Sequence, residues 1–502
     1  MIESCYQCRE KDLAGAFDID REETERSIRN IAEDERKLTD DHGGMTMERA
    51  KVERRRKSYE IDMCNGAILP KMLQFALPLM FSGILQLMFN AADVMVVGRF
   101  AGDSSLAAVG STGQLVNLLV KFFMGLSIGG NVLASRYCGA KKDEDLRKTV
   151  HTSIALSLIS GVVLTVAGVF LTKPLLRMIN VPEEIFDLAA VYLRIYFLGM
   201  TATMAYNFGS AILRAVGDTR RPMYYLTLAG VVNVVLNLLF VIVLDMDVAG
   251  VALATVISQC ISAALVIKCL VKTEGAMKLE LKAMKVDPEI FRMILGIGLP
   301  ASIQGILFSI ANLSIQSAVN SFGTEAVAGN SAAASIEGFI LTAMNAFYQT
   351  VLSFTGQNLG AGKRERVSKV LYIGMGCTAV MGLLLGFGSV LFGEELLGLY
   401  TTGTSVITMG MYRLNIMGRT YFIGGLQETV VGALRGMGYG VLPTVVSLVG
   451  ICGLRLLYLG TLFQMEEFHN LRALYFTYPI SWAVTLAVLL AMYFIVQRKM
   501  KQ

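Results

Sequence analysis

The residues able to carry a charge or a proton through this chain are few, and they sit in unusual places. Asp93, Lys121, Glu337, Arg413, Arg419, Glu428 and Arg455 each lie inside a long apolar run. An ionisable group in hydrocarbon costs at least about 2–3 kcal/mol, so such groups mark ion or substrate paths or pair with one another. A lone carboxylate such as Asp93 can exchange a proton, or hold Na⁺ together with neighbouring amide and hydroxyl oxygens, which are good hard ligands. Glu337 and Glu428 could meet a cationic compound, with Lys121 and Gln304 as further polar groups of the same cleft. They could equally be structural, and Glu428 with Arg455 is the pair their positions favour. Asn233 and Asn237 are four apart and therefore share a helix face, a spacing that also serves hydrogen bonds between helices. The sequence holds no nucleotide-binding glycine loop, no metalloprotease helix motif and no zinc constellation. His42, His151 and His469 are isolated, and Cys5 and Cys8 have only half of a metal-site spacing. Nothing points to an enzyme, a cofactor or a nucleic-acid partner.

The elements that must position these residues are membrane spans. Hydrophobic residues make up 54% of the chain and charged ones 17%, against about 25% charged in soluble proteins. From Leu69 onward there are twelve apolar runs of spanning length, centred near Leu85, Leu119, Leu158, Leu198, Val234, Ile257, Ile310, Met344, Val380, Met417, Val449 and Val488. Lys and Arg cluster after the even-numbered runs, as at Lys141 and Lys142, Arg220 and Arg221, and Lys363 and Arg364. The positive-inside rule then places both termini in the cytoplasm, which requires an even number of spans. The eight cysteines fall mostly in the spans or on the cytoplasmic side, where disulfides are not expected.

Two halves of the chain repeat. Leu77-Pro78 with Gly83-Ile84-Leu85 recurs as Leu299-Pro300 with Gly305-Ile306-Leu307. Gly139-Ala140-Lys141-Lys142 recurs as Gly360-Ala361-Gly362-Lys363, and Arg214-Ala215-Val216-Gly217 as Arg435-Gly436-Met437-Gly438. The matches keep their order and nearly the same offset. The expected fold is all-α and integral to the membrane, with twelve helices in two pseudo-symmetric lobes of six. Residues 63–271 form the N-lobe, 272–289 a cytoplasmic linker and 290–502 the C-lobe. Halves of like orientation are related by an axis along the membrane normal, and substrates bind between them. Pro78 and Pro300 each interrupt the first helix of a half, as static kinks or as hinges. Residues 1–62 read as a charged cytoplasmic tail, dispensable for insertion and transport, with Met45, Met47 and Met63 as alternative starts.

The chain resembles the multidrug and toxic compound extrusion (MATE) family, in the branch that includes the bacterial DinF proteins. The resemblance is carried by Phe89-Asn90-Ala91-Ala92-Asp93 with Val97-Gly98-Arg99, by Gly139-Ala140, by Arg214-Ala215-Val216-Gly217-Asp218, by Gly250-Val251-Ala252-Leu253-Ala254-Thr255 and by Gly356-Gln357-Asn358-Leu359-Gly360-Ala361. It implies an antiporter in the bacterial inner membrane that works as a monomer and exchanges H⁺ or Na⁺ for amphipathic, often cationic, small organic compounds. It also implies that Asp93 carries the coupling ion among Asn207, Asn233, Asn237 and Thr255. Some relatives have an aspartate where this chain has Asn237. The glutamate that another branch carries in the seventh helix is missing here, where only Gln304 and Gln316 stand. A flippase of lipid-linked precursors and a non-transporting membrane scaffold remain as alternatives.

The charge pattern makes a direct prediction about topology. On a cysteine-free background, a single cysteine at position 141 or 363 is expected to resist an impermeant thiol reagent in intact cells and to react once the cells are opened. Labelling from outside would overturn the assignment.

Overall fold

The computed structural model describes residues 59–501, and among these all regular structure is helical. The sequence-based expectations for Cys5, Cys8, Met45 and Met47 lie outside the described residues. Helix α1 runs Ile68–Val96 and continues through a π-helical turn, Val97–Ala101. It is followed by α2 (Asp103–Gly139), α3 (Asp143–Met178) and a broken α4, whose parts Glu183–Leu198 and Met200–Ala215 meet at 46°. Then come α5 (Arg220–Leu238, extended by the π turn Leu239–Val243) and α6 (Asp247–Lys272). Two short 3₁₀ turns, Gly275–Met277 and Leu281–Ala283, lead into the second half. That half consists of α7 (Pro288–Asn320), α8 (Thr324–Gly360), α9 (Arg364–Leu391), α10 (Thr404–Gly436), α11 (Val441–Gln464) and α12 (Leu471–Lys501). Each of the twelve apolar runs has become one span.

Nine of the described helices are long and apolar enough to cross a membrane on their own, and the broken α4 makes a tenth. The other two, α8 and α10, hold Glu337 and Arg413, which bond to each other. Their hydropathy is lowered by polar groups turned inward, among them Asn330, Glu337, Gln357 and Asn358 on α8 and Arg413 and Gln427 on α10, so they span by virtue of their neighbours.

The repeat is visible in the backbone itself. Gly102 and Gly323 both have φ +90°, Lys141 and Gly362 have φ 55° and 72°, and Gly217 and Gly438 have φ 100° and 96°. In each pair the second residue stands 221 positions after the first. Glycine takes this left-handed geometry without strain, which explains why the recurring motifs centre on it. The fifth helix of each half also carries a π turn, Leu239–Val243 in one and Leu448–Gly453 in the other.

The lobes join at one end only. One hydrophobic core contains residues of both halves: Met72, Leu126, Leu133 and Phe208 with Ile294, Val351, Phe354 and Val430. Two further cores lie towards the opposite ends of the helices. One, around Val97, Leu193 and Phe197, is built from the first half. The other, around Ile315, Tyr421 and Trp482, is built from the second. The shared core lies where α1 meets α8 and α2 meets α7, near the basic loops. Backbones touch there: a Cβ on Gly139 would stand 2.0 Å from the Gln357 carbonyl oxygen, and one on Gly360 would stand 1.9 Å from that of Arg136. The cleft is therefore sealed at the basic-loop end and parted at the other.

The segment before α1 crosses this seal. Tyr59 lies under the Arg221 guanidinium, and Ile61 donates its N–H to the Gly217 carbonyl at 3.3 Å, both N-lobe contacts. A few residues on, the chain reaches the C-lobe. The Met63 carbonyl accepts from Asn358 at 3.0 Å, and Lys363 donates to the Cys64 carbonyl at 2.9 Å and to Asn65 Oδ1 at 2.6 Å. Burial alone would push the Asp62 carboxyl up, but the Asn65 amide, the Cys64 N–H and Lys71 hold it below its ordinary range. Tyr59, Ile61 and Asp62 thus make their contacts with the membrane-spanning part of the chain. Composition hid this, because these bonds use main-chain atoms of a polar stretch. A chain begun at Tyr59 should match the full chain in thermal unfolding in detergent. One begun at Met63 should lose on the order of 1 kcal/mol for each bond removed. Equal stability of the two would contradict the strap.

Candidate functional site

Three polar stripes converge in the N-lobe. On α1, Gln86, Asn90 and Asp93 are spaced four and three apart; on α6, Thr255, Ser258, Gln259 and Ser262 share a face; on α5, Asn233 and Asn237 share another. Together with Phe89 and Gly230, most of them line a cavity of about 50 Å³. Asn237 Nδ2 donates to Asp93 Oδ1 at 2.5 Å and lies 3.4 Å from Asn233 Oδ1. Asn233 Nδ2 in turn lies 3.4 Å from Thr255 Oγ1. Asn237 Oδ1 is buried without a hydrogen-bond partner. A buried amide oxygen is normally satisfied, so this atom is an acceptor held ready beside the carboxylate. Gly230 permits the assembly, because a Cβ there would stand 1.8 Å from the Phe89 ring.

That arrangement can hold a small cation. Every donor is oxygen, from carboxylate, amide or hydroxyl, and the space suits an ion or a water rather than an organic molecule. Among the described residues no group of three His, Cys, Asp or Glu could hold a metal ion, so any cation site here rests on one carboxylate and neutral oxygens. The Asn237 amide can also serve a proton. It offers N–H to a charged Asp93 or, turned over, its oxygen to a protonated one.

The larger cavity, of about 570 Å³, lies against the C-lobe. It is within the range that takes small organic molecules. Lys121 reaches it from α2, and Glu337, Arg413, Glu428 and Arg455 also line it. Glu337 and Arg413 are a bidentate pair, with Nε to Oε1 at 2.9 Å and Nη2 to Oε2 at 2.6 Å. Asn330 Oδ1 accepts from Arg413 Nη1 at 2.6 Å and from the Tyr475 hydroxyl at 3.1 Å. Tyr475 and Tyr478 present their rings to the guanidinium. These two charges are answered by each other.

Some expected residues are placed elsewhere. Asn207 gives its amide to the Thr203 carbonyl of its own helix at 2.9 Å and does not line the N-lobe cavity. Gln304 accepts from Arg435 at 2.8 Å, in a buried group with Tyr348 and Thr444, and does not line the C-lobe cavity. No ion pair joins Glu428 to Arg455 among the described residues: Glu428 accepts from Gln427 at 3.3 Å, and Arg455 meets Ser481 and Asn312. Helices α1 and α7 pass through Pro78 and Pro300 without a break. Gln86, Asn90, Ser258, Gln259 and Ser262 were missed, although their helical spacing was there to be read.

Comparison with known proteins gives a consistent picture. The MatE family model matches residues 78–239 and 300–459, one copy in each half. The chain is 29% identical over 436 residues to the probable multidrug resistance protein YoeA of Bacillus subtilis, covering 85% of this chain and 93% of that one. It is 26% identical to the probable multidrug resistance protein NorM of Thermotoga maritima, over 78% and 84% of the two chains. Among solved structures, the outward-facing conformation of a multidrug resistance MATE transporter of the MOP superfamily superposes with a TM-score of 0.81 at 23% identity, covering 88% of this chain and 98% of the other.

The ion pair generates a stability test. Glu337→Gln leaves a buried guanidinium unanswered and should destabilise the chain by about 3–5 kcal/mol, whereas Glu337→Leu with Arg413→Met should recover most of that loss. Thermal unfolding in detergent measures both. A single variant as stable as the parent would remove Glu337 from its structural role.

Proposed function

We propose that this chain, which belongs to the MatE family, is an antiporter of a bacterial cytoplasmic membrane that couples inward flow of H⁺ or Na⁺ to export of amphipathic organic compounds. The observation that carries this reading is the difference between the two lobes. An ion-sized cavity of about 50 Å³ surrounds the carboxylate of Asp93, while a cavity of about 570 Å³ faces the C-lobe. The relatives named as multidrug resistance proteins support the export of organic compounds. Each chain holds both lobes and so a complete cleft, which is why we read the working unit as a monomer. Both termini are cytoplasmic, and the shared core seals the cleft on that side.

The mechanism follows from linkage. If ion and organic compound favour different arrangements of the lobes, binding one shifts the population away from the other. Driving such a switch from one extreme to the other takes about 5.5 kcal/mol of differential binding. Asp93 contributes by changing charge state, or by losing water around Na⁺, as the lobe rearranges. Asn233, Asn237 and Thr255 orient it and supply neutral oxygens. Pro78 and Pro300 each remove one backbone hydrogen bond from a helix of the sealed region, which is where the chain would flex.

Asp93→Asn is nearly isosteric but cannot change charge. It should fold as the parent does, bind dye and fail to export it. Dye efflux from energised vesicles, first under an imposed pH gradient and then under an imposed Na⁺ gradient, measures this. Export by the variant at the parental rate under both would refute Asp93 as the coupling site, and the parent's own response to each gradient names the ion.

A further inference from the structure

Once the Glu337–Arg413 pair is set aside, the C-lobe cavity is lined by Lys121, Arg455 and Glu428. That leaves one more cation than anion, which does not favour the cationic compounds implied by the resemblance. Arg455 is the unusual member. It is 4% exposed, and its hydrogen-bond partners are neutral: Ser481 Oγ at 3.2 Å and Asn312 Oδ1 at 3.5 Å. No carboxylate comes within salt-bridge distance of it among the described residues. Its guanidinium lies over the Tyr478 ring at 3.9 Å, with Trp482 beyond at 5.9 Å. Stacking keeps the face of the guanidinium on the rings; Nε and Nη1 each hold one neutral partner, and Nη2 has none among the described residues, so the Nη1–Nη2 edge can still meet a planar acceptor. A buried arginine with neutral partners alone is costly in a membrane protein unless something else answers the charge.

We infer that the C-lobe cavity is a site for aromatic compounds bearing a carboxylate, which Arg455 binds along the edge of its guanidinium while Lys121 supplies a second positive charge. This names the substrate class of the cavity described above and rests on the reading of that cavity as the substrate space. A carboxylate matches the guanidinium fork in a two-bond contact. Tyr478, Trp482, Tyr421 and Phe308 line the same cavity and give it an apolar aromatic wall suited to an aromatic body.

The chain contains a single tryptophan, and it is Trp482, so its fluorescence reports on this cavity. The full chain in nanodiscs is titrated with three anthracenes that differ only in charge: anthracene-9-carboxylate, 9-anthracenemethanol and 9-(aminomethyl)anthracene. Quenching of Trp482 is followed without any ion gradient. In the parent the acid should bind about tenfold more tightly than the alcohol, the worth of one charge-assisted hydrogen-bond set. Arg455→Gln should erase that advantage and leave the alcohol and the amine within about twofold, because lipid partitioning is the same for parent and variant. Arg455→Lys should retain part of it, and Lys121→Gln should lose a smaller share. Equal loss for all three probes would make Arg455 merely structural, and equal affinity for acid and alcohol in the parent would overturn the proposal. If Arg455→Gln does not fold, the parental order of the three probes and Lys121→Gln decide the question. Preference for the acid without export under any gradient would spare this site and sink the antiport reading. Coupled export without that preference would do the reverse.

Discussion

A charge carried into hydrocarbon has to be turned towards the protein interior and answered there, and most of this architecture follows from that constraint. It explains why α8 and α10 lie side by side: Glu337 and Arg413 can only be buried together. The same rule gives weight to the charges left without a full answer. Asp93 has only neutral amides and a hydroxyl around it, and Arg455 has only a hydroxyl, an amide and two rings. Arg435 is likewise held by neutral groups alone, Tyr348, Gln304 and Thr444, so Arg413 with Glu337 is the fully paired case among these buried charges.

The duplicated frame sets how such binding events can be felt across the molecule. The halves share one core near the basic loops and keep separate cores beyond it. Glycines at the seal bring backbones into direct contact, and the strap from Tyr59 to Asn65 bonds to both lobes. Opening at the basic-loop end must break this set of contacts. Lobes joined at one end can rock about that end, since packed interfaces tend to hold discrete arrangements.

The sequence was most legible where spacing alone fixes geometry. Twelve runs of spanning length became twelve spans, and the repeated glycine motifs became left-handed turns at a constant separation. Asn233 and Asn237 share a helix face whatever their neighbours do, and both prove to stand beside Asp93 or Thr255. Contacts between helices were less legible, because they depend on how each helix is rotated about its axis. Asn207 turned out to bond within its own helix, Gln304 to serve Arg435, and Glu428 and Arg455 to stay apart. The segment from Tyr59 to Asn65 was invisible for another reason: several of its bonds use main-chain atoms, which any residue carries. The polar stripe Gln86, Asn90 and Asp93 was open to view and needed only the helical period to find.

If the chain works as an antiporter, ion binding at Asp93 and binding of an organic compound in the C-lobe cavity must be thermodynamically linked. Coupling between two sites is reciprocal, so a bound ion must change the affinity for the organic compound. The direct measurement is the affinity of anthracene-9-carboxylate, read from Trp482 in nanodiscs, across a series of Na⁺ concentrations and a series of pH values. Antiport linkage predicts that affinity falls as one of these ions saturates its site, by about 5- to 150-fold, and that the fall disappears in Asp93→Asn. An affinity unchanged by either ion in the parent chain would contradict it.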